Sequence, residues 1–496
     1  MKKEIVLISI FFFLLIIAYF TTDQWLDPDF GWHLKTGELI LQRGVPKVDW
    51  YSFTMPDFPW IDHEWLTDVL IYKIYSFFGF KFLLVLFLAI SILAIFLQIN
   101  FEKFWYSIFL ISLGYLSCFF YLGVRPQIIT WLFLSILLKI LDSFLRKKRQ
   151  KIIFAFPALF LIWVNLHGGF FVGIFILLLT LFLKGLEREW SLFFSLFIIL
   201  SLSFVATLIN PYGIRIYEEV FRTIGDRNLI FIIAEWSPLP FHVSVFQFLY
   251  LGLFLTFFFA LLKFKEINLK DLVLPLVFLF FALLHTRHFP LFVIVSLPYF
   301  TDFLVKVKNK ISPFGKKLLF SHDKISLSIL GVLAFLIIFQ LYSFLSPKNK
   351  GLTYPSPEAI SFLKTLPLSE NLFNPYEWGG YLIWKIPERR VFIDGRMPSW
   401  RKDGKYIVSD YLKIRRREGN FQEILEKYDI KLILLEKEEK KEFKMKGKIG
   451  NFLLKENWIL EFLLGIKPEK KLYQILIENG WKEIFEDETA IILRKI

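Results

Sequence analysis

The run Ile5-Val6-Leu7-Ile8-Ser9-Ile10-Phe11-Phe12-Phe13-Leu14-Leu15-Ile16-Ile17-Ala18-Tyr19-Phe20 is apolar almost throughout, and soon after it the chain reads Asp27-Pro28-Asp29-Phe30-Gly31-Trp32-His33. Lys2 and Lys3 stand before the run, and its exit, Tyr19-Phe20-Thr21-Thr22, lacks a small-x-small cleavage site, so an uncleaved signal anchor is expected. The segment that emerges is poor packing material at a bilayer surface. Two carboxylates one residue apart, beside an indole and an imidazole, suit metal binding or proton transfer.

The rest of the chain repeats the apolar theme. Of 496 residues, 55% are hydrophobic and 61 are phenylalanine, which is too apolar for a soluble globular protein. The formal charge of +14 is concentrated in short loops between apolar runs, where it sets topology, which argues against nucleic acid as a partner. Cys118 is the sole cysteine, so neither a disulfide nor a thiolate metal site forms within one chain. Neither a P-loop nor a dinucleotide fingerprint occurs.

Apolar runs at 4–20, 80–98, 104–122, 127–145, 152–166, 169–184, 190–208, 243–262, 271–285, 289–304 and 325–345 count to about eleven spans. With the amino terminus cytoplasmic, the basic loops at 146–149, 263–265 and 306–324 fall inside and the carboxyl terminus falls outside. The same alternation puts Asp62-His63-Glu64, Arg125-Pro126-Gln127, Asn165-Leu166-His167-Gly168-Gly169, Asn210-Pro211-Tyr212-Gly213, Glu235-Trp236 and His285-Thr286-Arg287-His288 on the outer face, with the Asp27 segment. Of the seven histidines, only His322 falls inside. Such sorting points to one external site, although interfacial polar and aromatic residues are common in membrane proteins anyway.

The first external loop, 21–79, is long and aromatic. Asp49 to Trp60 has the mixed character of a segment lying in the membrane interface, and Trp65, Leu66, Val69, Leu70, Tyr72 and Ile74 form the apolar stripe of an interfacial helix before the second span. Asp27, Asp29, Asp62, His63 and Glu64 stand at the two ends of this loop, and its closure would let the two acidic clusters share a cation or divide the roles of base and orienting group. Helix caps are the competing explanation, at one acidic residue each. Arg125, Arg287, His167, His285 and His288 form the cationic counterpart, suited to holding a phosphate as it leaves. A zinc site from His285-x-x-His288 is the alternative use of that pair.

From 346 the composition becomes that of a soluble α/β domain. Ser356-Pro357-Glu358 opens a helix toward Leu366, and Phe421 to Tyr428 is a second helix. Ile430 to Leu435 is a buried strand, and Leu472 to Glu478 is a helix capped by Gly480. Trp481 to Arg494 forms two strands around Asp487-Glu488, and the Lys-Glu run 436–446 is a solvated face.

Two features together resemble the GT-C membrane glycosyltransferases, which take sugar from a polyprenyl-phosphate or polyprenyl-diphosphate carrier. One is the layout: a first span, acidic residues just beyond it in a large external loop, many further spans, and a soluble external domain. The other is Tyr376-Glu377-Trp378-Gly379-Gly380-Tyr381 followed by Arg390-Val391-Phe392-Ile393-Asp394-Gly395-Arg396, which is similar to the start of the external domain of oligosaccharyltransferase catalytic subunits. There a Trp-Trp-Asp-Tyr-Gly motif helps read the protein acceptor. Here its aspartate is replaced, which speaks against asparagine-linked protein glycosylation.

The resemblance implies a polytopic α-helical GT-C-like domain, 1–345, and a soluble extracytoplasmic α/β domain, 346–496. Asp27, Asp29 and Glu64 take the catalytic positions, with Mg or Mn between Asp29 and Glu64 as an option and no other cofactor required. His33, Asp62, His63, Arg125, His167, His285, Arg287 and His288 are expected to bind substrate, as are Trp378, Tyr381, Asp394 and Arg396 in the soluble domain. The expected reaction moves a hexosyl or pentosyl group from a lipid-phosphate donor to an envelope glycan, lipid or protein at a bacterial-type plasma membrane. A transporter or flippase of lipid-linked saccharides is the rival reading, favoured less because the polar residues gather at one face rather than at the midplane. An O-antigen-ligase-like enzyme is the second rival.

Overall fold

A computed structural model of the chain describes residues 3–22, 26–147, 150–226, 229, 233–239, 245–263, 272–311, 354–440 and 471–496. The chain divides into two compact units, one of 1–27, 36–45 and 61–351 and the other of 28–35, 46–60 and 352–496.

The first unit is helical. Its helices are α1 (Lys3–Thr22), the end of α2 (Phe30–Arg43), α3 (Trp65–Phe96), α4 (Phe104–Ser117), α5 (Gln127–Lys147), α6 (Ala155–Leu166), α7 (Phe170–Leu186), α8 (Trp190–Thr207), α9 (Ile216–Gly225), α10 (Val245–Lys263), α11 (Val273–Leu284) and α12 (Phe289–Ile311). Helices therefore occupy every expected apolar run except 325–345, which lies outside the described residues, as does His322. Among the described residues, five helical stretches are long and apolar enough to cross a membrane: Lys3–Thr22, Trp65–Phe96, Gln127–Arg146, Trp190–Thr207 and Thr286–Lys306. The protein is an integral membrane protein. Their outward side chains, such as Phe12, Phe82 and Phe197, stay exposed as lipid-facing residues must, while Trp163, Tyr115, Tyr250 and Phe254 are fully buried where helices meet.

Helix α3 is two helices in one. Gly79 breaks it at φ 75° and ψ 178°, a backbone state that only glycine adopts without strain. The stretch before the break covers the residues where an interfacial helix is expected, and the stretch after it covers the apolar run 80–98.

The second unit is built on a four-stranded sheet of order β1-β4-β6-β5, from β1 (Asn371–Phe373), β4 (Ile430–Glu436), β5 (Trp481–Glu486) and β6 (Ala490–Lys495). Strands β1 and β4 run parallel, and β6 pairs antiparallel with β4 and β5. A ribbon of β2 (Arg401–Lys402) and β3 (Lys405–Tyr406) stands apart. Around these lie α13 (Pro357–Thr365), α14 (Gly379–Lys385), α15 (Ile407–Arg416), α16 (Phe421–Lys427) and α17 (Leu472–Glu478). The Ser356 hydroxyl caps α13 by accepting from the Ala359 amide at 2.9 Å, with Pro357 at the first helical position. Leu432 to Leu435 are buried, so the central strand is covered on both faces.

The segment 46–60 does not lie free in an interface. It belongs to this second unit, where Ser52 forms a parallel bridge with Val391 and the Thr54 hydroxyl donates to the Phe392 carbonyl at 2.7 Å. Phe58 stacks on Trp400 with ring centroids 4.3 Å apart. The aromatic content that reads as interfacial is instead the core of a domain completed by distant sequence. The start of α2, Phe30 to Lys35, also belongs to this unit, a helix that the composition of the loop does not announce.

Candidate active site

In the first unit the polar residues expected on one face form two constellations. The first is built where the start of α3 meets the turn between α6 and α7. Thr67 donates to the Leu166 carbonyl at 2.5 Å and the Trp65 indole donates to Asn165 Oδ1 at 3.1 Å, which locks the two backbones together. Glu64 then lies 3.0 Å from His167 Nε2 and 3.5 Å from His63 Nε2.

Burial presses the Glu64 carboxyl upward, but the two imidazoles outweigh it and hold it well below the usual carboxylate range. Burial also works against a charge on His63, yet the Glu64 carboxylate, helped by Glu219 and Asp62, lifts it to about 9. His167 goes the other way. Its burial, together with the charges of His63 and Arg287, outweighs its bond to Glu64 and lowers it. Asp62 is pushed well above its ordinary value by burial and by the charge of Asp68. Its Oδ1 accepts from the Glu64 amide at 3.1 Å, and its Oδ2 is buried with no hydrogen-bond partner among the described residues. At neutral pH the cluster therefore holds a charged His63, an ionised Glu64 and a neutral His167, with Asp62 pushed toward its protonated form.

The second constellation centres on Arg125. Its Nε is 2.6 Å from Asp27 Oδ2, and its terminal nitrogen binds Glu235. Burial raises Glu235, but Arg125 and Arg287 together bring it below its ordinary value. Arg287 packs over the Trp236 ring at 4.7 Å, and His285 Nδ1 lies 2.6 Å from the Trp236 carbonyl. His288 packs edge-on against the rings of Trp236 and His285. The two constellations feel one another through Arg287, whose charge acts on both His167 and Glu235.

Asp29, His33, Trp378, Tyr381, Asp394 and Arg396 belong to the second unit. Asp29 Oδ1 accepts from the Trp32 indole at 2.9 Å and lies against Gly395, where an added Cβ would stand 1.8 Å from that oxygen. The His33 ring lies on Trp32, with centroids 3.6 Å apart. Tyr381 packs on Tyr354, and Trp378 is fully buried. Arg396 is enclosed, its side chain 2% exposed, bonded to Asp394 through Nε and a terminal nitrogen and to Asp49 at 2.8 Å, among the rings of Tyr51, Trp60 and Trp400. Asp49 is a partner that sequence reasoning passed over, because nothing local distinguishes it from the other acidic residues of the loop.

Thr130 was also passed over. Its hydroxyl lies 2.7 Å from His167 Nδ1 and accepts from the Trp163 indole at 3.1 Å. A lone hydroxyl inside the apolar run 128–134 was the available signal. For a metal the fit is negative: among the described residues, no three His, Cys, Asp or Glu side chains gather as a cation site, so no step is routed through one.

No protein-family model and no curated protein sequence matches the chain. Solved structures do. The archaeal oligosaccharyltransferase AglB from Archaeoglobus fulgidus, solved with an inhibitory peptide and a dolichol-phosphate, matches with a TM-score of 0.55 at 11% identity, over 86% of this chain and 69% of its own. The Archaeoglobus fulgidus oligosaccharyltransferase tethered through a disulfide to an acceptor peptide containing the NVT sequon gives 0.51 at 12% identity, over 86% and 69%. The apo form of that enzyme gives 0.52 at 11%, over 86% and 70%. Likeness at such identity is likeness of fold. The chain has the GT-C-type fold of an oligosaccharyltransferase, with a mainly helical membrane part and a small sheet-containing part near its carboxyl end.

Proposed function

We propose that the protein is a membrane glycosyltransferase that moves a glycan from a lipid-phosphate donor to an acceptor on the extracytoplasmic side. The observation that carries this reading is the oligosaccharyltransferase fold, matched over 86% of the chain by an enzyme solved with a dolichol-phosphate and a peptide. The two polar constellations at helix ends in the first unit support it. The full topology is about eleven spans in a bacterial-type plasma membrane, with the amino terminus cytoplasmic and the carboxyl-terminal domain outside. The transferred group is a hexosyl or pentosyl unit or a glycan built from them, and the acceptor is an envelope glycan, lipid or protein.

In the reaction, Asp29 takes the proton of an acceptor hydroxyl as that oxygen bonds to the anomeric carbon. The bond from that carbon to the phosphate oxygen breaks, and its electron pair leaves with the phosphate. The Trp32 indole holds one Asp29 oxygen and aims the other. Asp27 is the alternative base, but its pairing with Arg125 suits it better to orienting the segment. Glu64, held by His63 and His167, is the second carboxylate, beside Asp62. Arg287, with His285 and His288, stabilises charge on the leaving phosphate. Arg125 serves this role only indirectly, since two carboxylates already engage it. Tyr381 contacts the acceptor, the buried His33 and Trp378 act only by shaping the wall behind it, and Asp394 and Arg396 act by holding segment 46–60.

The test is transfer from labelled polyprenyl-phosphate and polyprenyl-diphosphate sugars to envelope lipids, glycans and peptides by the purified protein in lipid. Transfer that collapses in a folded Asp29→Asn variant supports the reading. Movement of lipid-linked sugar between leaflets without transfer would replace it with a transporter.

A further inference from the structure

We infer that Thr130 and the Gly168-Gly169 turn are positioning residues that lock His167 in its Nε2–H tautomer and so aim the Glu64 carboxylate. The effect on rate rests on the transferase reading, whereas the tautomer does not.

The Gly169 amide donates to His167 Nδ1 at 2.8 Å, and an N–H can point only at an unprotonated ring nitrogen. The ring proton of the neutral imidazole therefore sits on Nε2, 3.0 Å from Glu64 Oε1. Thr130 supports the same state: with Nδ1 unprotonated its hydroxyl donates to that nitrogen, while its oxygen accepts from the Trp163 indole. Donation thus runs one way, from Trp163 through Thr130 and His167 to Glu64, among side chains that are all buried.

The turn is shaped around this chain. A Cβ on Gly169 would stand 2.1 Å from Thr130 Oγ1 and 2.8 Å from His167 Nδ1, and one on Gly168 would stand 2.6 Å from His63 Cδ2. Neither glycine has a left-handed backbone, so what they supply is room for the two imidazoles flanking Glu64.

The experiment uses the full chain in lipid nanodiscs with 15N-labelled histidine, and His167 is assigned by the signal lost in His167→Gln. Wild type should show an unprotonated Nδ1 and a protonated Nε2. Thr130→Val, which keeps the volume, should introduce the second tautomer and lower kcat of sugar transfer about tenfold with KM within about twofold, the loss expected for one hydrogen bond. Thr130→Ser should restore both. A protonated Nδ1 in wild type overturns the inference, as does a Thr130→Val protein unchanged in spectrum and rate. The expected spectrum without transfer from any polyprenyl-phosphate or polyprenyl-diphosphate sugar would overturn the transferase reading and leave the tautomer standing.

Discussion

Arg125 holds Asp27 at 2.6 Å through Nε while a terminal nitrogen binds Glu235, so one guanidinium ties the residue just beyond the first helix to the turn before α10. Removing it strands two carboxylates in a poorly hydrated place. Arg125→Ala should lower stability by about 2 kcal/mol, and Arg125→Lys by less, since an ammonium cannot bridge both in fork geometry. Thermal unfolding in lipid reads the difference. Equal melting of the alanine variant and wild type would show that the bridge does not form.

The His63 and Glu64 pair sets a pH window. His63 is raised from 6.5 to about 9, so its contribution is complete below about pH 6.5 and is lost as pH climbs through 9. Glu64 is lowered, so its contribution is present above the ordinary value of 4.5 and is lost as pH falls through its lower folded value. Melting temperature followed from pH 6 to 10 should fall on the alkaline side in wild type and fall less in His63→Gln. Superimposable curves would refute the pairing.

Gly395 makes room for Asp29. A Cβ there would overlap Asp29 Oδ1 at 1.8 Å, so Gly395→Ala should displace the carboxylate, cost about 2 kcal/mol and cut transfer at least tenfold. Gly404→Ala is the comparison, because a Cβ there has nothing within 4 Å, although its φ of +73° carries a backbone cost of its own. Stability and rate measured on both variants separate the two effects. If both lose rate equally, Gly395 has no special relation to Asp29.

Arg396 should be the least replaceable side chain of the second unit. Arg396→Ala leaves Asp49 and Asp394 buried without their partner and should cost about 3–5 kcal/mol, with segment 46–60 becoming open to protease. Limited proteolysis followed by mass spectrometry locates the cut. Protection equal to wild type would mean that the bridge to Val391, the Thr54 bond to Phe392 and the Phe58–Trp400 stack hold the segment without Arg396.

Much of the architecture was legible because hydrophobic runs and caps are local signals. The apolar runs marked the helices, Ser356 and Pro357 marked the start of α13, and Ile430 to Leu435 marked the central strand. The site was legible in its residue types and only partly in its pairings. The positive-inside rule put the Asp62-His63-Glu64 and His167 motifs on one face, and the structure joins them at Glu64. It assigned Arg125 to phosphate, whereas two carboxylates claim it, one of them Asp27. It treated Asp27 and Asp29 as a single motif, whereas they belong to different compact units. The sequence reading takes the aromatic stretch 49–60 as interfacial because side chains that wet a bilayer surface and side chains that fill a small core have the same composition. Only a partner far along the chain distinguishes the two, and periodicity carries no information about partners.

That distance has a consequence for biogenesis. Thr54 meets the carbonyl of Phe392, 338 positions later in the chain. Translation at roughly 5–20 residues per second keeps Tyr51, Phe58 and Trp60 waiting for tens of seconds before the sequence that covers them exists. During that interval the loop is a ribbon of exposed aromatic side chains beside nascent membrane helices, a natural client for a chaperone. A ribosome stalled before residue 391 would leave it unsheltered.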